Sequence, residues 1–252
     1  MKKFIIGFFM AWGNFITLPC PYKRWDSQLK NMMLAFLPSI GLVIGLLWMG
    51  LFWIMLRIEL SPLLISFLMM FYIFAICGFM HMDGFMDCND AIMSRRPLED
   101  RQRILKDSTV GAFAVVTVAF LLLAWFAAMS TAIYRISYAD LLTLPVVSRA
   151  ISGLAVLVYQ PIGHSQYVED YKAPGRWKYR LSVLLQTGLV MGLSVLLGAG
   201  WIKMLICSAV IAVVGFIACL YARKQLGGMS GDIAGYTICI GELAGIFALA
   251  VL

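Results

Sequence analysis

The 252 residues are 62% hydrophobic and only 13% charged, carry a formal charge of +7, and include sixteen Met, sixteen Phe and seven Trp. A soluble globular domain of this length has no need of so much apolar surface, so composition excludes one and predicts an all-α, polytopic membrane bundle forming a single domain over residues 1–252. Nor is the basic balance a nucleic-acid footprint: nearly all the Lys and Arg fall in short loops between apolar runs, where they read as topology and contact with the lipid bilayer, and no nucleic-acid partner is expected.

In chain order, an apolar run from Phe4 superficially resembles a signal peptide, but no small-residue cleavage site follows it. Asn14 and Thr17 interrupt the run and Pro19 ends it, which predicts a retained interfacial or re-entrant helix. Seven spans of about twenty apolar residues are then expected, over residues 34–56, 62–80, 110–133, 141–159, 181–200, 203–221 and 233–252. Pro38, Gly41 and Gly45 in the first allow close helix packing and a kink. The fourth contains Arg149, and the seventh contains Glu242. Six cysteines, at 20, 77, 88, 207, 219 and 239, make no CxxC pair, so neither a disulfide framework nor a zinc site is indicated.

Seven spans place the loops on alternate sides. Sixteen Lys and Arg then fall on one side, among them Lys23, Arg24, Arg95, Arg96, Arg101, Arg103, Lys106, Arg176 and Arg223, and only Arg57, Arg135 and Lys203 on the other. The basic side is therefore expected to be cytoplasmic.

At the end of the second span stands His81-Met-Asp-Gly-Phe-Met-Asp-Cys-Asn-Asp90. Asp83, Asp87 and Asp90 are spaced i, i+4, i+7, so on a helix they share one face. Two readings are open: oxygen ligands for a hard cation such as magnesium, or acids attracted to the positive end of a helix dipole. Further on, Lys106 offers a point charge to a phosphate, Asp107 a metal ligand or general base, and Ser108 a cap, although all three also suit an ordinary helix start. The turn Gly227-Gly-Met-Ser-Gly-Asp232 has the flexibility to bring the backbone of Gly228 near a phosphate, beside Asp232. Arg149, inside a span, suits phosphate recognition, a partnership with an acidic-cluster Asp, or a structural ion pair, and Glu242 is a candidate partner or a cavity-lining group. His81 adjoins the cluster, positioned to bond a phosphate or a metal-bound water, or simply to pack; His164 has no evident partner and reads as loop.

HMDGFMDCNDA, RILKDSTVGAF about twenty residues on, LPVVSRA within a span and GGMSGDIAGY before the last span together resemble the cobalamin synthase family, the adenosylcobinamide-GDP ribazoletransferases. The likeness runs from FITLPCP to the C-terminus. It implies a magnesium-dependent phosphotransferase of the bacterial inner membrane that joins adenosylcobinamide-GDP to alpha-ribazole or its 5'-phosphate, releasing GMP. Carried over by position, the acidic motif falls on Asp83, Asp87 and Asp90, the second motif on Lys106, Asp107 and Ser108, and the Gly-rich motif on Gly227, Gly228, Gly231 and Asp232. Metal binding is then expected of Asp83, Asp87 and Asp90, catalysis of Asp83, Asp87 and Asp107, and substrate contact of Lys106, Ser108, Gly228 and Asp232, joined by His81 and Arg149 from the reading of the residues themselves. Self-association, or contact with other corrinoid-assembly enzymes, is a further expectation. Thr17 stands where that family usually has an arginine, and Asn89 replaces a commoner small residue. A CDP-alcohol phosphotransferase would need an Asp at position 80, where the chain has Met80, and an Ala-Arg that is missing. A cation transporter would favour acids near the bilayer midplane.

Overall fold

The computed structural model describes residues 2–163, 165, 167–196 and 200–252, and among these every regular element is helical. His164 and the end of the fifth expected span, residues 197–199, lie outside the described residues. Helix α1, Lys2–Phe15, is 14 residues long, about 21 Å and short of the ~30 Å hydrocarbon core. A short α2, Lys30–Ala35, leads into α3, Leu37–Arg57. Pro38 sits in the first turn of α3, where its missing N–H costs nothing, so it starts the helix and does not kink it.

The second expected span is broken. Helix α4 covers Pro62–Ala75 and α5 covers Met80–Met93, with an 81° bend between them. Gly78 and Phe79 both have φ near +60°, a left-handed pair that no α-helix can continue through. The elbow is braced by Phe79 N–H on the Phe74 carbonyl (3.0 Å) and by Thr17, whose N–H (2.8 Å) and hydroxyl (3.2 Å) both donate to the Ile76 carbonyl. A short α6, Leu98–Ile104, follows. The remaining long helices are α7, Ala112–Ala132, and α8, Tyr138–Val158; then, beyond the single-turn α9, Val168–Tyr171, come α10, Arg176–Leu196, α11, Trp201–Leu226, and α12, Gly231–Val251. Six of the described helices, α3, α7, α8, α10, α11 and α12, are long and apolar enough to cross a membrane; α4 and α5 qualify only as a bent pair.

Helix α8 is the central element, buried along most of its length. It packs against α3 through the two expected glycines: a Cβ on Gly41 would stand 2.5 Å from the Pro145 carbonyl oxygen, and one on Gly45 2.9 Å from that of Leu141. Backbones this close maximise dispersion where lipid offers no hydrophobic drive. At one end of the bundle, Arg135 donates to the carbonyls of Ala250 (2.7 Å) and Val251 (2.9 Å), and Lys203 to those of Arg135 (2.6 Å) and to the Asp140 carboxylate (3.0 Å). At the other end Gly84 meets Asp232, Asp90 meets Gly111, and an isolated bridge joins Pro161 to Met229. The chain's three motifs thus gather at its basic end.

Candidate active site

Two glycines press α5 against α12. A Cβ on Gly84 would lie 2.7 Å from the Asp232 carbonyl oxygen, and one on Gly235 2.9 Å from that of His81. The Phe85 and Tyr236 rings stack alongside, with centroids 5.5 Å apart. Because the backbones touch, Asp83 on α5 and Asp232 in the first turn of α12 come to line one cavity of about 240 Å³. His81, buried in the first turn of α5, lines it too, with Ser152, Tyr167 and Gly231. Ser230 caps α12, accepting the Ile233 N–H (3.3 Å) while its hydroxyl donates to Asp232 (3.2 Å). Gly231 is exposed, with nothing within 4 Å of where a Cβ would stand, and the positive end of the α12 dipole faces the cavity.

Asp83 is exposed and Asp87, one turn on, is half-buried. The charges of Asp83, Asp232 and Asp90 all bear on Asp87. Asp90 is buried and turned the other way: its carboxylate accepts the Gly111 N–H at 2.6 Å and the Ala114 N–H at 2.9 Å. Helix α7 has no side-chain cap of its own, so the cap expected from Ser108 is supplied by Asp90 from another helix. Gly111 permits it, since a Cβ there would lie 2.5 Å from an Asp90 oxygen.

Asp90 also lines a second cavity of about 270 Å³, together with Asp107, Thr109 and Arg96. Asp107 is exposed and accepts the Thr109 N–H at 3.0 Å; that bond, with the Thr109 hydroxyl, holds its carboxyl below the usual carboxylate range. A carboxylate so stabilised suits a cation or a cationic neighbour better than it suits proton abstraction. Lys106 and Ser108 are exposed in the same loop and line neither cavity.

Among the described residues no three or more His, Cys, Asp or Glu side chains gather as a group that could hold a metal ion. Asp83 and Asp232 nonetheless offer two oxygen-donor carboxylates to one cavity. That fits magnesium, which takes one or two carboxylates and fills its remaining positions with water and substrate phosphate.

The cobalamin-5-phosphate synthase family profile matches residues 7–250. The chain belongs to that family. It is 35% identical to the adenosylcobinamide-GDP ribazoletransferase of Clostridium perfringens strain 13 over 253 residues, all of both chains. To the proteins of the same name it is 36% identical in Clostridium botulinum strain Alaska E43, with 98% of each covered, and 30% in Lachnoclostridium phytofermentans, with 99% of this chain and 95% of that one covered. No solved structure matches it.

In this member of the family, two expected substrate groups are engaged elsewhere. Arg149 is 1% exposed and pairs with Glu242, not with an acidic-cluster Asp; its guanidinium also donates to the Ser148 hydroxyl (3.1 Å), the Pro145 carbonyl (3.3 Å) and the Cys77 sulfur (3.3 Å). Ser148 donates to Glu242 at 2.9 Å, completing a buried network. The Gly228 N–H donates to the Arg223 carbonyl (3.2 Å), capping α11, and its missing Cβ makes room for Ile162. Asn89 bonds locally to the Phe85 carbonyl at 2.7 Å. Thr17 braces the α4–α5 elbow. The motifs do not single out Ser152, Tyr167 or Arg96 as site residues; Arg96 is signalled only by its place in a basic loop, and Ser152 only as a polar residue beside Gly153 in a span.

Proposed function

We propose that the chain is an adenosylcobinamide-GDP ribazoletransferase whose active site is the cavity shared by α5 and α12. The reading rests on one observation: Asp83 of the acidic motif and Asp232 of the Gly-rich motif, some 150 residues apart, line one cavity in a chain that matches its family from residue 7 to residue 250. A hydroxyl of alpha-ribazole, or of its 5'-phosphate, attacks the phosphorus on the cobinamide arm. The new P–O bond forms as the bond to the bridging oxygen breaks, GMP leaves with that oxygen, and the hydroxyl proton passes to a carboxylate of the cluster.

Asp83 and Asp232 are the residues that would hold magnesium, which when bound would neutralise the pyrophosphate and the departing GMP. The first turn of α12 turns its N–H groups toward the anionic substrate. Asp90 holds the start of α7 in place, positioning Asp107 and Arg96 at the neighbouring cavity. Of the three carboxylates expected to be catalytic, Asp83 and Asp87 remain as bases, because Thr109 makes Asp107 a poor one. The basic end carrying both cavities faces the cytoplasm of the bacterial inner membrane, in accord with its charge excess.

Membranes containing the protein, given adenosylcobinamide-GDP, alpha-ribazole and magnesium, are expected to release GMP and form the cobalamin, and EDTA is expected to stop both. Absence of GMP beside an active homologue would overturn the assignment.

A further inference from the structure

A third cavity, about 740 Å³, opens at the basic end between α6, α7 and the last turns of α11. Arg95, Arg96 and Arg101 line it, and none of the three forms an ion pair with a carboxylate among the described residues. Arg95 and Arg96 are exposed. Arg101 is fastened to α11 through the Gln225 amide oxygen (2.5 Å), while its Nε is buried with no hydrogen-bond partner. Three unneutralised guanidinium groups around one hollow are mutually repulsive, and an orphaned buried donor is costly. Both are the features of a site that awaits an anion.

The rest of the lining identifies the kind of anion. Met93, Phe113 and Tyr221 line the same hollow and are 42%, 45% and 49% exposed. From there two apolar strips lead away from the basic end into the spanning region: Phe120, 69% exposed, lies two turns beyond Phe113 on α7, and Ile217, 58% exposed, lies one turn before Tyr221 on α11. A soluble phosphate would use the arginines and leave these strips unexplained. A phospholipid uses both, its phosphodiester on the guanidinium groups and its acyl chains along α7 and α11.

We propose that this groove is a binding site for an anionic phospholipid, held through its phosphodiester by Arg95, Arg96 and Arg101. It is separate from the cavity of Asp83 and Asp232, and it adjoins the Asp107 cavity, whose lining shares Arg96 and Phe113 with it. The site also ties α6 and the end of α11 to the bilayer surface, and so couples lipid composition to the loop that carries Asp107.

The test is lipid binding to the detergent-purified full chain, read by native mass spectrometry and by thermal shift as phosphatidylglycerol or phosphatidylcholine is titrated in, with inorganic phosphate as competitor. Phosphatidylglycerol is expected to bind at least about tenfold more tightly than phosphatidylcholine, corresponding to about 1.4 kcal/mol, and inorganic phosphate at millimolar excess is expected not to displace it. The double variant Arg95→Gln/Arg96→Gln, which changes only exposed side chains, is expected to abolish that preference, whereas Arg57→Gln at the opposite end leaves it intact. Equal binding of the two lipids, an unchanged preference in the double variant, or the same loss in Arg57→Gln would each overturn the proposal. Displacement by inorganic phosphate would overturn it in favour of a soluble phosphoester site.

Discussion

The Asp90 carboxylate lies 2.6 Å from the backbone nitrogen of Gly111, and through that bond a residue of the acidic motif caps the helix that follows the Lys-Asp-Ser motif. The two motifs therefore form one structural unit. Asp90→Ala would strand the N–H groups of Gly111 and Ala114, and is expected to destabilise the protein by about 1–3 kcal/mol. Gly111→Ala, which forces a methyl onto the Asp90 carboxylate, is expected to match it. Thermal unfolding in detergent checks both, and a wild-type transition in either variant would show that α7 does not rely on this cap.

Asp83 has the opposite character, being exposed and lining the cavity. Asp83→Asn is expected to lower turnover by on the order of 100-fold or more while leaving membrane insertion and the thermal transition as in the wild type. Near-normal GMP release would remove Asp83 from the site.

Gly84 and Gly50 form a matched pair. A Cβ at Gly84 strikes the Asp232 backbone, whereas nothing lies within 4 Å of one at Gly50. Gly84→Ala should push α5 away from α12 and separate Asp83 from Asp232, abolishing most activity, while Gly50→Ala should be silent or slightly stabilising. Comparison of GMP release at equal expression decides the matter.

Arg149 and Glu242 form a buried pair. Arg149→Met leaves the Glu242 carboxylate without its cation, and is expected to cost about 3–5 kcal/mol. The double variant Arg149→Met/Glu242→Leu is expected to recover most of that loss, which an essential substrate contact at Arg149 would not allow for activity. Unfolding and turnover measured on the two variants separate the structural role from the catalytic one.

The pH behaviour of Asp107 follows from its Thr109 bonds. A folded-state pKa below the unfolded one means that the contribution of these bonds is fully present above the unfolded pKa and is lost only as pH falls through the folded one. Asp107 is thus ionised throughout the neutral range. Asp107→Asn should lower activity by the same factor at about pH 6 and about pH 8; a factor that changes between them would mean that Asp107 titrates in the reaction.

Much of the architecture was legible because a bilayer leaves few options. Apolar runs of about twenty residues predict spans, and their alternation across a bilayer puts the three motifs at one end of the bundle. Even the α3–α8 contact was foreshadowed by Gly41 and Gly45. The elbow was not. Ile76-Cys-Gly-Phe79 continues the apolar pattern of its span without a break, and what ends the helix there is two left-handed residues held by Thr17, from a segment nearly sixty positions earlier.

The sequence by itself determined the class of protein, the family and the acidic, Lys-Asp-Ser and Gly-rich motifs, because these depend on composition and on local runs of residues. Tertiary structure alone decided how the motif residues divide their work. Asp83, Asp87 and Asp90 are equivalent by spacing, and only the neighbours brought in by folding distinguish them: Asp232 across a cavity for Asp83, two backbone N–H groups for Asp90. Arg149 was open to three partners until α12 placed Glu242 against it. Spacing along one helix tells which side chains share a face, but what each one does depends on which other helix meets that face.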